Sequence, residues 1–348
     1  MKIGIAFSGG GLRGAYQVGC YKAFLDCHIK IDGFVGTSIG SFNAAMCASN
    51  RFEELFAFWY NDDTGSILGF SKDFITKTNN NEYDLKYLTE LLDNIKDIVQ
   101  NKGISTKNIR KKLEEFEINK YLYKSKKDFG LVTVRFNDFK PRYMFKNDIP
   151  KDKLNDYIIA SCFLPIFKFE KLIDNNYYLD GGFHDYIPAN ALLKKGYDKV
   201  YVIDLEAIGI RRPYIDKRKI QVIRPSRKLG SILDFKKEDI RNNMKLGYFD
   251  TMRILKDFDG KKYLFKKRGL WYYELMLKHV SKKDRELMEK FFATKNAKRL
   301  IIKSIEFIMK KEKFEYYHVY KVTEVIKRIK YIDKNYGVYK FVKQLKFI

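Results

Sequence analysis

The chain has 348 residues, 45% hydrophobic and 16% aromatic, with a net charge of +25. That is enough apolar material for one large domain or two ordinary ones with buried cores. No run of about 18 apolar residues occurs, which excludes a membrane-spanning helix; the nearest candidate, residues 158–169, is interrupted by Ser161, Pro165 and Lys168.

In chain order, Ile3–Phe7 reads as a short buried strand, too brief for the core of a signal peptide. Ser8–Gly11 is a glycine turn, and from Leu12 a helix follows. Ile31–Val35 reads as a second strand, Gly36–Gly40 as a second glycine turn, and Ile39–Asn50 as a second helix. Strand–turn–helix repeated twice predicts parallel strands in an α/β layer structure. Phe52–Tyr60 continues helical, Asn61–Asn81 is polar, and Leu85–Val99 and Ser105–Phe116 have amphipathic spacing, with Ser105 as a cap. Residues 51–127 therefore read as a helical insertion, either a lid or structural cover. Strand signals return at Phe129–Phe136, Arg142–Phe145, Tyr177–Leu179 and Lys199–Leu205 and fade after about residue 225. Residues 236–256, 270–293, 296–312 and 319–347 read as helices, and Ile301, Ile305 and Ile308 share one face of the third.

The charge is uneven. Residues 261–348 hold 25 Lys or Arg against 9 Asp or Glu. Such a segment could face an anionic membrane or a nucleic acid, or reflect only the codon bias of an AT-rich genome. No zinc finger, RNA-recognition sheet motif or helix-turn-helix signature accompanies it, so no nucleic-acid partner is expected. Cys20, Cys27, Cys47 and Cys162 form no Cys-x-x-Cys pair, which favours core filler in a reducing compartment over a disulfide framework or zinc site. The expected setting is cytoplasmic, with peripheral membrane contact open to it.

Three motifs carry chemistry. Gly36-Thr37-Ser38-Ile39-Gly40 fits G-x-S-x-G between a strand and a helix. A sharp turn there strains the serine backbone, its flanking glycines remove side chains that would collide, and the hydroxyl emerges at a helix N-terminus. Gly9-Gly10-Gly11-Leu12-Arg13-Gly14 also follows a strand and opens a helix. Its letters fit the dinucleotide pattern G-x-G-x-x-G, but Asp32, the acidic residue at about the right distance, precedes Phe34-Val35 and so sits at the wrong end of the second strand. Beside Ser38 the same glycines would form a nest of N–H groups, an oxyanion hole with Gly10 and Gly11 as the best donors. Arg13 would brace the loop, add positive potential, or simply be solvated. Asp180-Gly181-Gly182 ends a predicted strand, where the glycines let another loop approach the carboxylate. His184, four residues on, leaves a three-residue site open. No His-Glu-x-x-His and no clustered Asp set occurs, so no metal or other cofactor is expected.

In this order the three motifs resemble the patatin-like phospholipase family. Ala160-Ser161-Cys162-Phe163-Leu164-Pro165, Pro188-Ala189-Asn190, Ile223-Arg224-Pro225-Ser226, Leu229-Gly230 and Leu233-Asp234-Phe235 add to the likeness, which covers roughly residues 1–250. The resemblance implies a three-layer α/β/α domain with a central, mostly parallel sheet over 1–250, followed by a basic helical extension over 251–348. It implies Ser38 as nucleophile, Asp180 as proton acceptor in a dyad without histidine, Gly9–Gly14 as the oxyanion loop, Gly36 and Gly40 as elbow glycines, and Gly181 and Gly182 as supports. The implied reaction is acyl-ester hydrolysis of lipids, of phospholipase A or lysophospholipase type, through an acyl-enzyme. A general carboxylesterase or thioesterase on soluble acyl groups, and a catalytically silent lipid-binding protein, are the alternatives. A phospholipid or lysophospholipid is the expected partner.

Overall fold

The computed structural model describes residues 1–61, 105–164, 167–168, 170–233 and 235–346. The expected helix Leu85–Val99, most of the expected polar stretch, Pro165 and Asp234 lie outside the described residues. Two compact units are present, Met1–Thr251 and Met252–Ile348.

The first unit is built on a mostly parallel sheet. Its strands are β1 (Ile3–Phe7), β2 (Gly33–Thr37), β3 (Asp128–Arg135), β4 (Lys140–Phe145), β5 (Tyr178–Asp180), β6 (Lys199–Ile203) and β7 (Ile220–Ile223), in the order β4-β3-β2-β1-β6-β7 with β5 also on β3. β1, β2, β3, β6 and β7 run parallel; β4 and β5 are antiparallel to β3. Helices α1 (Ala15–Asp26), α2 (Ile39–Ala48), α3 (Phe52–Asn61), α4 (Lys107–Glu115), α5 (Ile118–Leu122), α6 (Leu154–Ser161), α7 (Ala189–Lys194) and α8 (Lys237–Leu255) complete the main elements.

The period-2 alternation of strand side chains sorts the layers. Ala6, Val35, Val200 and Val202 point to one face and pack with Leu192 and Leu193 of α7. Phe34 and Tyr201 point to the other, where they meet Tyr21 and Phe24 of α1 edge-on. The result is three layers, α/β/α, around strands buried on both faces, which explains why β1 and β6 read as continuous apolar runs. On the α1 side, α8 lies so close that a Cβ at Gly19 would fall 1.8 Å from the Met244 carbonyl oxygen.

The second unit is helical, with α9 (Leu270–Leu277), α10 (Lys282–Phe292), α11 (Ala297–Lys311), α12 (Val322–Lys330) and α13 (Gly337–Gln344), plus the two-residue strands β8 (Leu264–Phe265) and β9 (Val319–Tyr320). Ile301, Ile305 and Ile308 are fully buried in its core. The expected single helix 270–293 is two helices. Ser281 interrupts it, its hydroxyl accepting the Asp284 N–H as an N-cap. The expected helix 319–347 is likewise β9 followed by two helices, since Tyr331–Tyr336 leaves the helical path.

Candidate active site

The C-terminal ends of parallel strands gather the chemistry-bearing residues on one edge of the sheet. β1 ends at Phe7 and leads into Ser8–Gly11; β2 ends at Thr37 and leads into Ser38; β6 ends at Ile203 and leads into Asp204. Asp32 sits at the opposite edge, where its carboxylate accepts the Ile3 N–H at 2.9 Å. It is thus far from the glycine loop and unable to serve the dinucleotide reading.

Asp180 reaches the same edge by another route. β2 pairs with β3 through Thr37↔Val132, and β5 takes the next position, Asp180↔Thr133. β4 covers the other side of β3, so β5 continues the line that β2 leaves. Ser38, one residue beyond Thr37, therefore arrives beside Asp180 although 142 residues separate them in sequence. The Thr133 hydroxyl secures the junction by donating to the carbonyls of Ala160 and Leu179. Thr37 donates to the Asp185 carbonyl at 2.8 Å, tying the serine turn to the loop after Asp180.

Ser38 has φ 56° and ψ −134°, a conformation costly for a non-glycine residue, typically by ~1–3 kcal/mol. Its surroundings hold it there. The Ser38 N–H donates to Ser161 Oγ at 3.1 Å, and Ser161 in turn donates to the Val132 carbonyl at 2.7 Å. Gly36 and Gly40 close the turn face to face: a Cβ on Gly36 would lie 2.1 Å from the Gly40 carbonyl oxygen. Ser38 is 8% exposed and Asp180 4% exposed.

The Asp180 carboxyl is raised to about 6, first by burial; the Ser38 hydroxyl and the Gly182 N–H oppose that rise. Oδ1 accepts the Gly182 N–H at 2.7 Å. Oδ2 is buried with no fully formed hydrogen bond among the described residues, so the influence of the nearby Ser38 hydroxyl on the carboxyl is not that of a closed Oγ–Oδ2 bond. An ionisable oxygen left this way in a protein interior calls for an explanation.

The glycine loop lies against the serine. A Cβ on Gly9 would come 3.3 Å from the Ser38 Cβ. The Gly9 N–H is spent on the Tyr186 carbonyl, the Leu12 N–H on Ile232 and the Arg13 N–H on Gly10. Among the described residues no hydrogen bond takes the N–H of Gly10 or Gly11. Gly11 has φ 55°, and a Cβ there would sit 2.3 Å from the Ile232 oxygen. Arg13 braces this loop: its guanidinium donates to the carbonyls of Gly230, Leu205 and Glu206. Gly14 belongs to the same turn, its carbonyl bonded by Asn43.

A buried polar chain behind the loop escaped sequence reasoning. Gln17 donates to the Ser8 carbonyl, Asn43 to Gln17, and the Trp59 indole N–H to Asn43. It couples the helix after the glycine turn to the helix after Ser38. Ser161 was legible only as part of a motif, not as the acceptor of the Ser38 N–H.

His184 does not join the pair. Its ring faces Arg212 at 3.0 Å and meets Tyr143 edge-on, while burial and the Arg212 charge lower its pKa. Cys162 lies near Asp180 and Ser41, and burial raises its thiol, so it stays protonated. None of the four cysteines is in a disulfide. Among the described residues no group of three or more His, Cys, Asp or Glu is placed to share a metal ion.

Ser38, Gly11 and Leu12 open onto a cavity of about 110 Å³ whose other walls are largely apolar, including Phe42, Ile109, Leu113 and Ile159. Ile109 and Leu113 belong to α4, so the described end of the insertion forms one wall of the cavity. Phe116, just after α4, packs on Phe42 and Phe58. Among the described residues no helix is long and apolar enough to cross a membrane.

Comparison with known proteins adds the following. Lysophospholipase nte1 of Aspergillus terreus is 25% identical over 214 residues, 61% of this chain and 12% of that protein. Lysophospholipase NTE1 of Kluyveromyces lactis is 27% identical over 213 residues, 61% of this chain and 13% of that protein. Patatin-like phospholipase domain-containing protein 7 of Rattus norvegicus is 45% identical over 49 residues, 14% of this chain and 4% of that protein. The match thus spans about an eighth of the length of the fungal relatives. Among solved structures, VipD from Legionella pneumophila aligns with TM-score 0.44 and 14% identity, covering 94% of this chain and 79% of its own. The type III effector ExoU aligns with TM-score 0.37 and 12% identity, covering 98% and 73%. The model of the patatin-like phospholipase family matches residues 5–193, more than half of the chain. The chain belongs to the patatin-like phospholipase family.

Proposed function

We propose that the protein is a serine acyl-ester hydrolase of lipids, with Ser38 as nucleophile and Asp180 as the group that receives and returns its proton. The observation that carries this reading is the buried Asp180 carboxyl, on which the hydroxyl of a conformationally strained serine acts. A carboxyl raised to about 6 is mostly ionised at neutral pH, yet is a better base than an ordinary one near ~4.

In the proposed reaction each residue has a stated part. Ser38 Oγ attacks the ester carbonyl carbon as its proton passes to Asp180. The negative charge that develops on the carbonyl oxygen falls to the N–H groups of Gly10 and Gly11 and to the N-terminus of α2. The carbon–oxygen bond to the leaving alcohol breaks, and Asp180 gives that alcohol its proton. Water then attacks the acyl-Ser38 ester, Asp180 takes a proton from the water and returns it to Ser38 Oγ, and the carboxylic acid leaves. The apolar cavity at Ser38 would hold the start of the acyl chain. Belonging to a phospholipase family and sharing sequence with lysophospholipases both support lipid esters as the substrate class.

A second reading, hydrolysis of short soluble acyl esters or thioesters, is favoured by one feature. The cavity of about 110 Å³ is small beside the ~300–1,000 Å³ of pockets that enclose drug-sized ligands. Product analysis by mass spectrometry separates the two. A mixed panel of phospholipids, lysophospholipids and short-chain esters is offered to the protein, with Ser38→Ala as control. Release of long-chain fatty acid by the parent alone supports the lipid reading. Turnover confined to short soluble esters supports the second, and equal release by Ser38→Ala refutes both.

A further inference from the structure

After Asp204 the chain does not return directly to the sheet. It runs from the active edge through a segment, residues 206–219, before β7 begins. Three large aliphatic side chains on it face water: Ile208 is 69%, Ile210 49% and Ile215 60% exposed. Single exposed aliphatics are ordinary; three within eight residues on one loop are not. Five basic residues, Arg211, Arg212, Lys217, Arg218 and Lys219, accompany them, against Glu206 and Asp216.

The loop is fixed, and fixed to the candidate active site. Ile210 donates its N–H to the Gly182 carbonyl at 3.0 Å and accepts the Tyr186 N–H at 2.8 Å. The Arg212 Nε donates to the His184 carbonyl. Farther along, the Ile215 N–H donates to the side chain of Asn190. Arg211 and Arg224 both pair with the fully buried Asp204 carboxylate, anchoring the base of the loop. None of these bonds uses an isoleucine side chain, so backbone and arginines hold the loop while the aliphatics project outward.

We infer that residues 206–219 dock the protein on an anionic lipid surface, with Ile208, Ile210 and Ile215 entering the acyl boundary and the exposed Lys217 and Arg218 meeting head groups. Apolar side chains that penetrate, ringed by cations, match the two attractions such a surface offers. Because the loop is bonded to the segment that follows Asp180, docking would hold that end of the sheet near the lipid surface. This places the proposed membrane contact in the sheet-bearing unit rather than in the basic residues 261–348. It is independent of whether Ser38 is a nucleophile, and binding can be measured without turnover.

The test uses the full chain carrying Ser38→Ala, so that no lipid is consumed. It is co-sedimented with vesicles of equal phosphatidylglycerol and phosphatidylcholine, and with vesicles of phosphatidylcholine alone. The parent should favour the anionic vesicles and lose binding as salt is raised. Adding Ile208→Ser and Ile215→Ser should lower partition by roughly tenfold or more, the scale expected for withdrawing two aliphatic side chains from an apolar medium. The thermal unfolding midpoint should stay unchanged, since both side chains are exposed. Leu270→Ser with Trp271→Ser, an exposed apolar pair in the second unit, should leave partition intact. The inference is overturned by absent or charge-indifferent binding of the parent, by unchanged partition of the loop variant, or by loss in the Leu270/Trp271 variant alone.

Discussion

Replacing Asp180 by Asn is predicted to stabilise the fold while removing activity. Burial lifts this carboxyl from 3.8 to about 6. At ~1.4 kcal/mol per unit, keeping it ionised inside the folded protein costs about 3 kcal/mol relative to the unfolded chain. The sign follows from proton binding. The folded state holds this proton more tightly than the unfolded state, so the contribution of Asp180 to stability is most favourable below about pH 4 and falls as pH rises toward 6. Above that the whole penalty is present. Asn keeps the shape and can still accept the Gly182 N–H, but never ionises. Its new amide donors lack an ideal partner, which gives back part of the gain. The variant should therefore exceed the parent by about 1–3 kcal/mol at pH 8, and near pH 4 that gain should be gone, leaving the variant equal to the parent or less stable by the amide cost. Urea unfolding of both proteins at the two pH values measures this. Other titrating groups are common to both, so the difference isolates Asp180. In parallel, kcat/KM on a soluble ester should fall by roughly 10³-fold or more. A variant less stable than the parent at pH 8, or a difference equal at both pH values, would refute the reasoning.

Other outcomes follow from the same geometry. In the parent, kcat/KM on a soluble ester should rise through a pH of about 6 as Asp180 loses its proton; a flat profile from pH 5 to 8 would contradict its role as base. Gly11→Ala must place a Cβ against the Ile232 carbonyl oxygen at a positive φ, displacing the N–H proposed to bind the oxyanion. It should reduce kcat by roughly 10²–10³-fold with little change in KM, and a rise in KM alone would argue against the proposed oxyanion role of Gly11. Ile109→Trp fills the cavity from α4 and should shift turnover toward shorter acyl chains. An unaltered chain-length profile would show that the acyl chain lies elsewhere.

Much of the sheet was legible because its strands are buried on both faces and bounded by glycine. Ile3–Phe7 was read with its observed limits, and the remaining predicted strands within two residues at either end. β7 was not read: Ile220–Ile223 is short, lies at the sheet edge and is flanked by arginine and lysine. α6 was hidden for the opposite reason. Residues 157–161 are all buried, so the apolar stretch carries no 3.6-residue contrast between faces. The break at Ser281 did leave a signal, Ser281-Lys282-Lys283-Asp284, the spacing of a helix cap. For the site, Ser38, the glycine loop and Asp180 stood out because glycine spacing advertises sharp turns. Ser161, Gln17, Asn43 and Trp59 did not. Their importance lies in which groups they bond, and that is set by the tertiary placement of α1, α2, α3 and α6, which local spacing does not reveal.

The central claim is that Ser38 is the nucleophile. Treating the protein with a fluorophosphonate probe and mapping the adduct by peptide mass tests it most directly. The account predicts a single modified residue, Ser38, with labelling abolished in Ser38→Ala. Labelling that persists in Ser38→Ala, or an adduct mapped to another residue, would contradict it.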